Sequence, residues 1–280
     1  PDPTFETFER EAENVQPGTP ASVQVRLVGS HPLWGHMLWN AAKLFSHYLD
    51  AHKALVQGKN VLELGAGAAL PSIVATLNGA RRVVITDYPD IDLMNNIRFN
   101  VDRTLPGYTT APGGSGQARV EGFLWGADST PLLNLLADEP SSSSSTSSSS
   151  LDTITTITAA KAGNRKFDLI ILCDLIFNHS QHTQLLRTCR ECLDTSDPAH
   201  PGEIYVFFTH HRPHLAHRDL AFFTKAQEEF GFESEEFMTR MMIPMFEKDQ
   251  GPASVRATVH CYRMTLPTSA PEGTESDTKA

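Results

Sequence analysis

The residues most able to do chemistry in this chain are two glycines and an aspartate at a fixed distance. Gly65 and Gly67 follow the apolar run NVLEL, and Asp87 ends the run RRVVITD, 20 positions after Gly67. Glycine lets a backbone approach a ligand closely, and an acidic residue at this distance accepts hydrogen bonds from ribose hydroxyls. The pattern predicts a site for a cofactor that contains a ribose.

The glycine series narrows the choice of cofactor. A dinucleotide site would carry G-x-G-x-x-G, but the series continues Ala68-Ala69-Leu70 without a third glycine, and the sequence has no G-x-x-x-x-G-K-[ST] phosphate loop. The preceding Glu63 makes the string ELGAG, which resembles the E-x-G-x-G signature of class I S-adenosylmethionine-dependent methyltransferases. A tight turn without a ligand and a dinucleotide enzyme remain the alternatives.

Alternating strand and helix patterns must position these residues. Five runs are typical of strands: NVLEL, RRVVITD, ARVEGFLWG, FDLIILCD and EIYVFFTHH. Helical patterns separate most of them, and another, with an apolar stripe, precedes the first strand over residues 33–49. This alternation predicts an open α/β sheet with parallel strands. Near the end, VRATVHCYRM alternates like an antiparallel edge strand, with MMIPMF as a candidate partner.

We expect one domain over residues 30–266. It is preceded by a flexible segment over 1–29 and followed by a disordered tail over 267–280. Low-complexity insertions are predicted at 107–118 and 140–150, because stretches rich in Gly, Pro or Ser cannot bury enough apolar surface to fold. No catalytic role is expected for the serine run.

Composition restricts the ligand and the compartment. Of the 280 residues, 40% are hydrophobic, and the formal net charge is −10. That charge disfavours nucleic acid, because phosphate binding needs concentrated Lys and Arg. No apolar run approaches the roughly 18 residues that span a bilayer, so we expect no membrane partner. Four scattered cysteines are too few for a disulfide framework, and we expect reduced, structural thiols in a cytoplasmic protein.

A second acidic position opens the segment DLIFN, directly after the fourth strand. Asp174 is therefore expected at the carboxyl edge of the sheet, where open α/β sheets bind ligands. A carboxylate there can hold and orient an incoming ammonium. Phe177 can wall the amine channel and attract a methylated ammonium by cation–π contact, with Asn178 and His179 as a polar rim. The alternative for Asp174 is a helix N-cap, although Ser180 is better placed for that.

The stretch HHRPHLAH after the fifth strand suggests a metal site. Pro213 interrupts its helical spacing, however, and no carboxylate or cysteine completes an obvious ligand set. We therefore expect no metal. These histidines are predicted to line the substrate entrance, where an imidazole can accept the proton of an amine.

Several sequence motifs, in a fixed order along the chain, indicate a narrower group within the methyltransferases. PLWGHMLWNAA, VLELGAGAALPS, TDYPD, Trp125-Gly126 and CDLIFN together resemble the protein methyltransferases that modify lysines and N-terminal amines. Over roughly residues 28–265 the chain more closely resembles the fungal methyltransferases of translation elongation factor 1-alpha, a group also termed nicotinamide N-methyltransferase-like. The resemblance implies a Rossmann-like, seven-stranded class I methyltransferase sheet with helices on both faces and S-adenosyl-L-methionine as cofactor. We expect a monomer.

The resemblance also implies roles for individual residues of the cofactor site. Gly65, Ala66 and Gly67 would line the methionine moiety with backbone, and Asp87 would take the ribose hydroxyls.

Three more residues would complete that site by resemblance. Trp125 would border the adenine, and Trp34, in the helix before the first strand, would close over the cofactor. Cys173 would approach the cofactor mainly through its backbone. The alternative for each tryptophan is a plain core residue.

The leading hypothesis is a protein N-methyltransferase. The resemblance implies the N-terminal glycine of elongation factor 1-alpha and the lysine beside it as targets, with Asp174, Phe177 and Asn178 as the catalytic residues. The alternatives are a methyltransferase for a small amine such as nicotinamide and a cofactor-binding module without catalysis.

Overall fold

The structure, a computed structural model, describes residues 2–29, 31–32, 34–109, 115–137, 165–246 and 248–267. The insertion predicted at 140–150, positions 110–114 of the one predicted at 107–118, and residues 268–280 of the predicted tail lie outside the described residues. In chain order the strands are β1 (Thr4–Glu9), β2 (Ser22–Leu27), β3 (Asn60–Leu64), β4 (Arg82–Asp87), β5 (Ala118–Gly122), β6 (Leu169–Cys173), β7 (Glu203–Thr209), β8 (Glu233–Met241) and β9 (Thr258–Thr265). The helices are α1 (Asn40–Ala51), α2 (Leu70–Leu77), α3 (Ile91–Thr104), α4 (Thr130–Asn134), α5 (His182–Cys192), α6 (Ala216–Phe230) and α7 (Ala253–Ala257).

Seven strands form the central sheet in the order β5-β4-β3-β6-β7-β9-β8. The first five strands in this order pair in parallel, and β9 is antiparallel to both of its neighbours. The predicted seven-stranded α/β sheet is confirmed. The prediction that MMIPMF pairs with the last strand is wrong, because the partner strand is ESEEFMTRM and shares only Met241 with that stretch.

Helices cover both faces of the sheet, as predicted, because side chains alternate along each buried strand. Val61 of β3 joins a core with Phe45 of α1 and Ile73 of α2. Its neighbour Leu62 joins the second core with Phe222 of α6. Among the described residues, no helix is both long enough and apolar enough to cross a membrane.

The N-terminal residues form a hairpin in which β1 and β2 pair antiparallel. The prediction of a flexible segment is wrong for these two strands. The stretch SVQVRL alternates polar and apolar residues, and Val23 and Val25 are fully buried in the core that contains α1. Arg10, after β1, forms an ion pair with Asp50 of α1, with 2.7 Å between Nη2 and Oδ1, and both side chains are fully buried. This pair fixes the hairpin to the domain.

The helix predicted over 33–49 begins only at Asn40 and ends at Ala51. The stretch before it is irregular, and Trp34 there has a φ of +62°. Trp34 therefore lies in a loop, and its expected position in a helix is wrong. The apolar stripe is nevertheless present, since Phe45 and Leu49 are fully buried. The loop leaves Trp34 and Trp39 at the edge of the sheet where the strands end.

Candidate functional site

A cavity of about 600 Å³ lies at the carboxyl ends of β3, β4 and β6. The ten residues that the sequence analysis assigned to cofactor binding and catalysis all line it: Trp34, Gly65, Ala66, Gly67, Asp87, Trp125, Cys173, Asp174, Phe177 and Asn178. They converge because parallel strands present their carboxyl ends at one edge of the sheet. Their common location is established by the geometry, and their individual roles stay predictions.

The turn after β3 uses backbone conformations that favour glycine. Gly65 has a φ of +64° and Gly67 a φ of +55°. A Cβ atom added at Gly65 would lie 2.6 Å from Cδ2 of Leu175, so the missing side chain allows the turn to pack against the segment after β6. A Cβ atom added at Gly67 would meet nothing within 4 Å. Gly67 thus borders open cavity space that a ligand can fill.

Asp87 holds this turn in place. The backbone N–H of Gly67 donates to Oδ2 of Asp87 at 2.7 Å, and the N–H of Tyr88 donates to Oδ1 at 2.7 Å. Burial raises the pKa of the Asp87 carboxyl above its ordinary value, against the opposing effect of these two hydrogen bonds. A carboxylate oxygen accepts more than one hydrogen bond, so Asp87 can bind the turn and a ligand hydroxyl together.

Glu63 of β3 is buried and joins the strand to α2. Its Oε2 accepts hydrogen bonds from the hydroxyl of Ser72 and from the Ser72 backbone N–H, the second at 3.1 Å. Burial raises the pKa of Glu63 to about 8. This raised pKa favours the protonated form of the glutamate of the ELGAG string, and its hydrogen bonds link the two elements that flank the glycine turn.

Asp174 lies directly after β6 with a φ of +52°, a strained conformation for a residue other than glycine. Its Oδ1 accepts hydrogen bonds from the backbone N–H of Thr209 and from Nε2 of His211, both at 3.0 Å. Its Oδ2 is buried and has no hydrogen-bond partner among the described residues. The helix-cap alternative is wrong, because α5 begins at His182 and its N-cap residue is Gln181.

Aromatic rings gather near Asp174, and Trp39 is at their centre. The ring centroid of Trp39 lies 5.0 Å from that of His211 and 6.0 Å from that of Phe246. The ring centroids of Phe177 and Trp34 each lie 6.4 Å from that of Trp39. Trp39 lines the cavity. No sequence motif singled out Trp39, His211 or Phe246 as a residue of the site. The string HPLWGHMLWNA contained Trp39, but no local signal marked Phe246.

The tryptophans and cysteines of the site differ in burial. Trp34 is 44% exposed, so the plain-core alternative is wrong for it. Trp125 is partly buried and packs against the core under α5 and α6. Cys173 is buried, and this burial raises the pKa of its thiol well above the ordinary value. All four cysteines are buried and free of disulfides, as predicted.

The histidines after β6 and β7 divide between two carboxylates. His179 and His210 bind the buried Asp219, with 2.7 Å from His179 Nε2 to Oδ1 and 2.7 Å from His210 Nδ1 to Oδ2. The polar rim predicted for His179 is therefore wrong, since its ring is committed to Asp219. Only His211 of HHRPHLAH reaches Asp174 within the described part of the chain. Those described residues contain no group of three or more candidate metal ligands.

The strand order and the cavity at the strand ends define a Rossmann-like methyltransferase fold. A Pyrococcus horikoshii structure assigned as an RNA methyltransferase shares this fold, with a TM-score of 0.52 and 16% identity, covering 87% of this chain and 93% of that one. At this identity the likeness concerns the fold alone.

Sequence relatives identify the family. Residues 29–133 match a family described as lysine methyltransferase. A Schizosaccharomyces pombe protein named protein N-terminal and lysine N-methyltransferase efm7 is 39% identical over 253 residues, or 90% of this chain and 86% of that protein. The Eremothecium gossypii EFM7 protein is 43% identical, with 93% and 87% covered. The chain belongs to this family of protein N-terminal and lysine N-methyltransferases. It is an enzyme that uses S-adenosylmethionine to methylate protein nitrogen atoms.

Proposed function

We propose that the enzyme methylates the N-terminal glycine and the adjacent lysine of translation elongation factor 1-alpha. The stretches HPLWGHMLWNA, TDYPD and DLIFNHSQH resemble the fungal methyltransferases of that factor, and the relatives' names specify N-terminal and lysine acceptors. The observation that carries the proposal is Asp174, a residue of the cavity lining whose buried Oδ2 has no hydrogen-bond partner among the described residues. A buried carboxylate oxygen suits a cationic ammonium better than the ring nitrogen of nicotinamide.

The glycine end of the cavity fits the cofactor. Gly67 borders open space, and Asp87 presents a carboxylate beside it. Gly65, Ala66 and Gly67 would hold the methionine part with backbone, and Asp87 would accept the ribose hydroxyls. Trp125, after β5, and Cys173, at the end of β6, would border the rest of the cofactor. When bound, S-adenosylmethionine supplies an electrophilic methyl group on its sulfonium sulfur.

The Asp174 end would receive the acceptor amine. An N–H of the incoming ammonium would donate to Oδ2 of Asp174, which removes the cost of an unpaired buried oxygen and orients the nitrogen. The ammonium must release one proton to water before its nitrogen, then neutral, can accept the methyl group, and a remaining N–H keeps the contact with Oδ2. The rings of Phe177 and Trp39 exclude water and favour a methylated ammonium by cation–π attraction. Asn178 adds a polar group at the cavity wall. These residues bind, orient and desolvate the amine, which is the protein's share of the reaction.

The test is intact-mass spectrometry of the N-terminal peptide of elongation factor 1-alpha. The factor is purified from cells with the gene, from cells without it, and from deletion cells that express the wild-type protein again. We expect methyl masses on the terminal glycine and neighbouring lysine to disappear on deletion and to return on re-expression. An unchanged peptide would refute this acceptor. Transfer to nicotinamide alone by the purified enzyme would favour the small-amine alternative.

A further inference from the structure

We infer that His211 is a positioning residue for the acceptor amine, because it fixes the Asp174 carboxylate with one oxygen occupied and the other free. The inference rests on the proposed role of Asp174 and extends it to a residue outside the cavity lining. The carboxylate is an acceptor only, so His211 must carry its proton on Nε2 to donate to Oδ1. The second donor to that same oxygen is the backbone N–H of Thr209.

Two donors on one oxygen determine how the carboxylate is turned. With both bonds at 3.0 Å, rotation of the carboxylate about its last torsion would break two hydrogen bonds at once. With the Thr209 bond alone, the two oxygens could exchange places more freely. An amine held by Oδ2 would then lose a fixed partner. Since methyl transfer depends on alignment, this loss appears in the rate of transfer more than in cofactor binding.

The ring of His211 is itself held in place. It meets Trp39 edge to face at 5.0 Å and Phe246 at 6.1 Å, and its side chain is only 11% exposed. Trp39 in turn lines the cavity. The histidine therefore connects the aromatic wall of the amine site to the carboxylate.

Asp219 provides an internal comparison. Its two oxygens each take one histidine, His179 on Oδ1 and His210 on Oδ2, and the side chain is 5% exposed. It does not line the cavity. The same pair of residue types thus gives a partner to each oxygen of Asp219, which lies outside the cavity lining, but occupies only one oxygen of the carboxylate that lines the cavity. This difference is expected if the second oxygen of Asp174 is kept for a ligand.

Four variants test the inference: His211→Leu, His211→Gln, Asp174→Asn and, as a matched control, His200→Leu, which changes a histidine that is 85% exposed before β7. The acceptor is total protein from cells that lack the enzyme, with methyl-labelled S-adenosylmethionine as donor. Single-turnover transfer is measured on whichever band takes label. Cofactor Kd and thermal unfolding are measured in parallel.

We expect His211→Leu to slow transfer by about 10- to 100-fold, a cost comparable to that of removing the groups that orient metal ligands. The cofactor Kd should stay within about twofold, because the cofactor contacts are elsewhere. His211→Gln should recover most of the rate, since its amide N–H can reach the same oxygen, whereas a purely space-filling role would not be rescued by an amide. His200→Leu should match the wild type.

The outcomes separate the inference from the proposed function. Wild-type transfer by His211→Leu, or equal loss in His211→Gln and His211→Leu with normal unfolding and cofactor binding, would overturn the role of His211. Wild-type transfer by Asp174→Asn would instead remove the proposed role of Asp174, and the inference with it. Label on a band other than elongation factor 1-alpha, with the same dependence on His211, would refute the acceptor and support the inference.

Discussion

The two ends of the cavity are built in different ways. At the glycine end, which we propose as the cofactor end, Gly65, Gly67 and Asp87 belong to two adjacent strand ends, and the main contacts involve backbone atoms. At the Asp174 end, which we propose as the acceptor end, Trp39, Asp174 and His211 come from distant parts of the chain, and most of the contacts join side chains. A site made of backbone suits a ligand that is always the same. A site made of side chains can be adapted to one acceptor without disturbing the cofactor.

The two carboxylates show the same contrast. Both oxygens of Asp87 accept backbone N–H groups, one from Gly67 and one from Tyr88. Asp174 has both of its donors on one oxygen, and the other oxygen has no partner among the described residues. Asp87 is therefore expected to act on affinity for the cofactor, and Asp174 on the rate of transfer. If substitutions of Asp87 slowed transfer and substitutions of Asp174 weakened cofactor binding, the proposed division of the cavity would be wrong.

Asp174→Asn is expected to have the largest effect. Asparagine tolerates a positive φ, and its oxygen can still accept from Thr209 and His211. The amide nitrogen of asparagine then takes the place of Oδ2. It is a donor in place of an acceptor and carries no negative charge, so it cannot hold an ammonium. We expect kcat to fall by about 10²- to 10⁴-fold, with cofactor Kd within about twofold. Radiometric transfer and titration calorimetry measure the two quantities.

A matched control for that variant is Asp102→Asn, on the exposed side of α3. It makes the same chemical change far from the cavity and should leave both quantities unchanged. If Asp174→Asn weakened cofactor binding as strongly as it slowed transfer, Asp174 would belong to the cofactor end. The proposed division of the cavity would then be wrong.

Asp87→Ala should give the next largest effect, this time on binding. The substitution removes the acceptors of two backbone N–H groups and of the ribose hydroxyls, each a bond to a charged group worth about 1.5–3 kcal/mol. We expect the cofactor Kd to rise by about 100-fold and kcat at saturating cofactor to fall only a few-fold. Asp87→Asn keeps one acceptor oxygen and should lie between Asp87→Ala and the wild type. A large fall in kcat without a change in Kd would contradict this.

The two ends of the cavity also differ in how well their residues could be predicted from the sequence. The common location of Gly65, Gly67 and Asp87 in the cavity was predictable because these residues lie within one strand–turn–helix–strand unit, where fixed spacing implies proximity. Asp174 was predictable because it follows a strand in that sheet. His211 was seen only as one of several histidines, since nothing local says that its ring turns to Asp174 while His210 turns to Asp219. Such a pairing depends on how β6, β7 and α6 pack.

The predictions that were wrong also concern residues whose structure depends on contacts with distant parts of the chain. The apolar stripe before β3 was correctly read, but the point at which the helix begins was not, because PLWGHMLW fits a helical pattern as well as it fits a loop over a cavity. The hairpin at the N terminus was missed because the rings of Phe5 and Phe8 in β1 pack against Phe99 of α3 and His47 of α1, far along the chain. Local periodicity indicates which face of an element is apolar, and distant contacts decide whether that face is used.

Glu63→Gln is expected to have the smallest effect on transfer and on cofactor binding, and it changes the pH dependence of stability instead. Burial raises the pKa of Glu63 from 4.5 to about 8. Between these values the unfolded chain releases the proton while the folded protein keeps it, so the free energy of unfolding falls as pH rises, by about 1.4 kcal/mol per pH unit from this group. The variant lacks this contribution.

Urea unfolding of the cofactor-free protein at about pH 5 and about pH 8 should therefore show a shallower loss of stability for Glu63→Gln. The control Glu229→Gln, which changes a side chain that is 50% exposed on α6, should follow the wild type. Parallel curves for wild type and Glu63→Gln would mean that Glu63 is ionised in the fold, and the cofactor end would then carry a second negative charge beside Asp87.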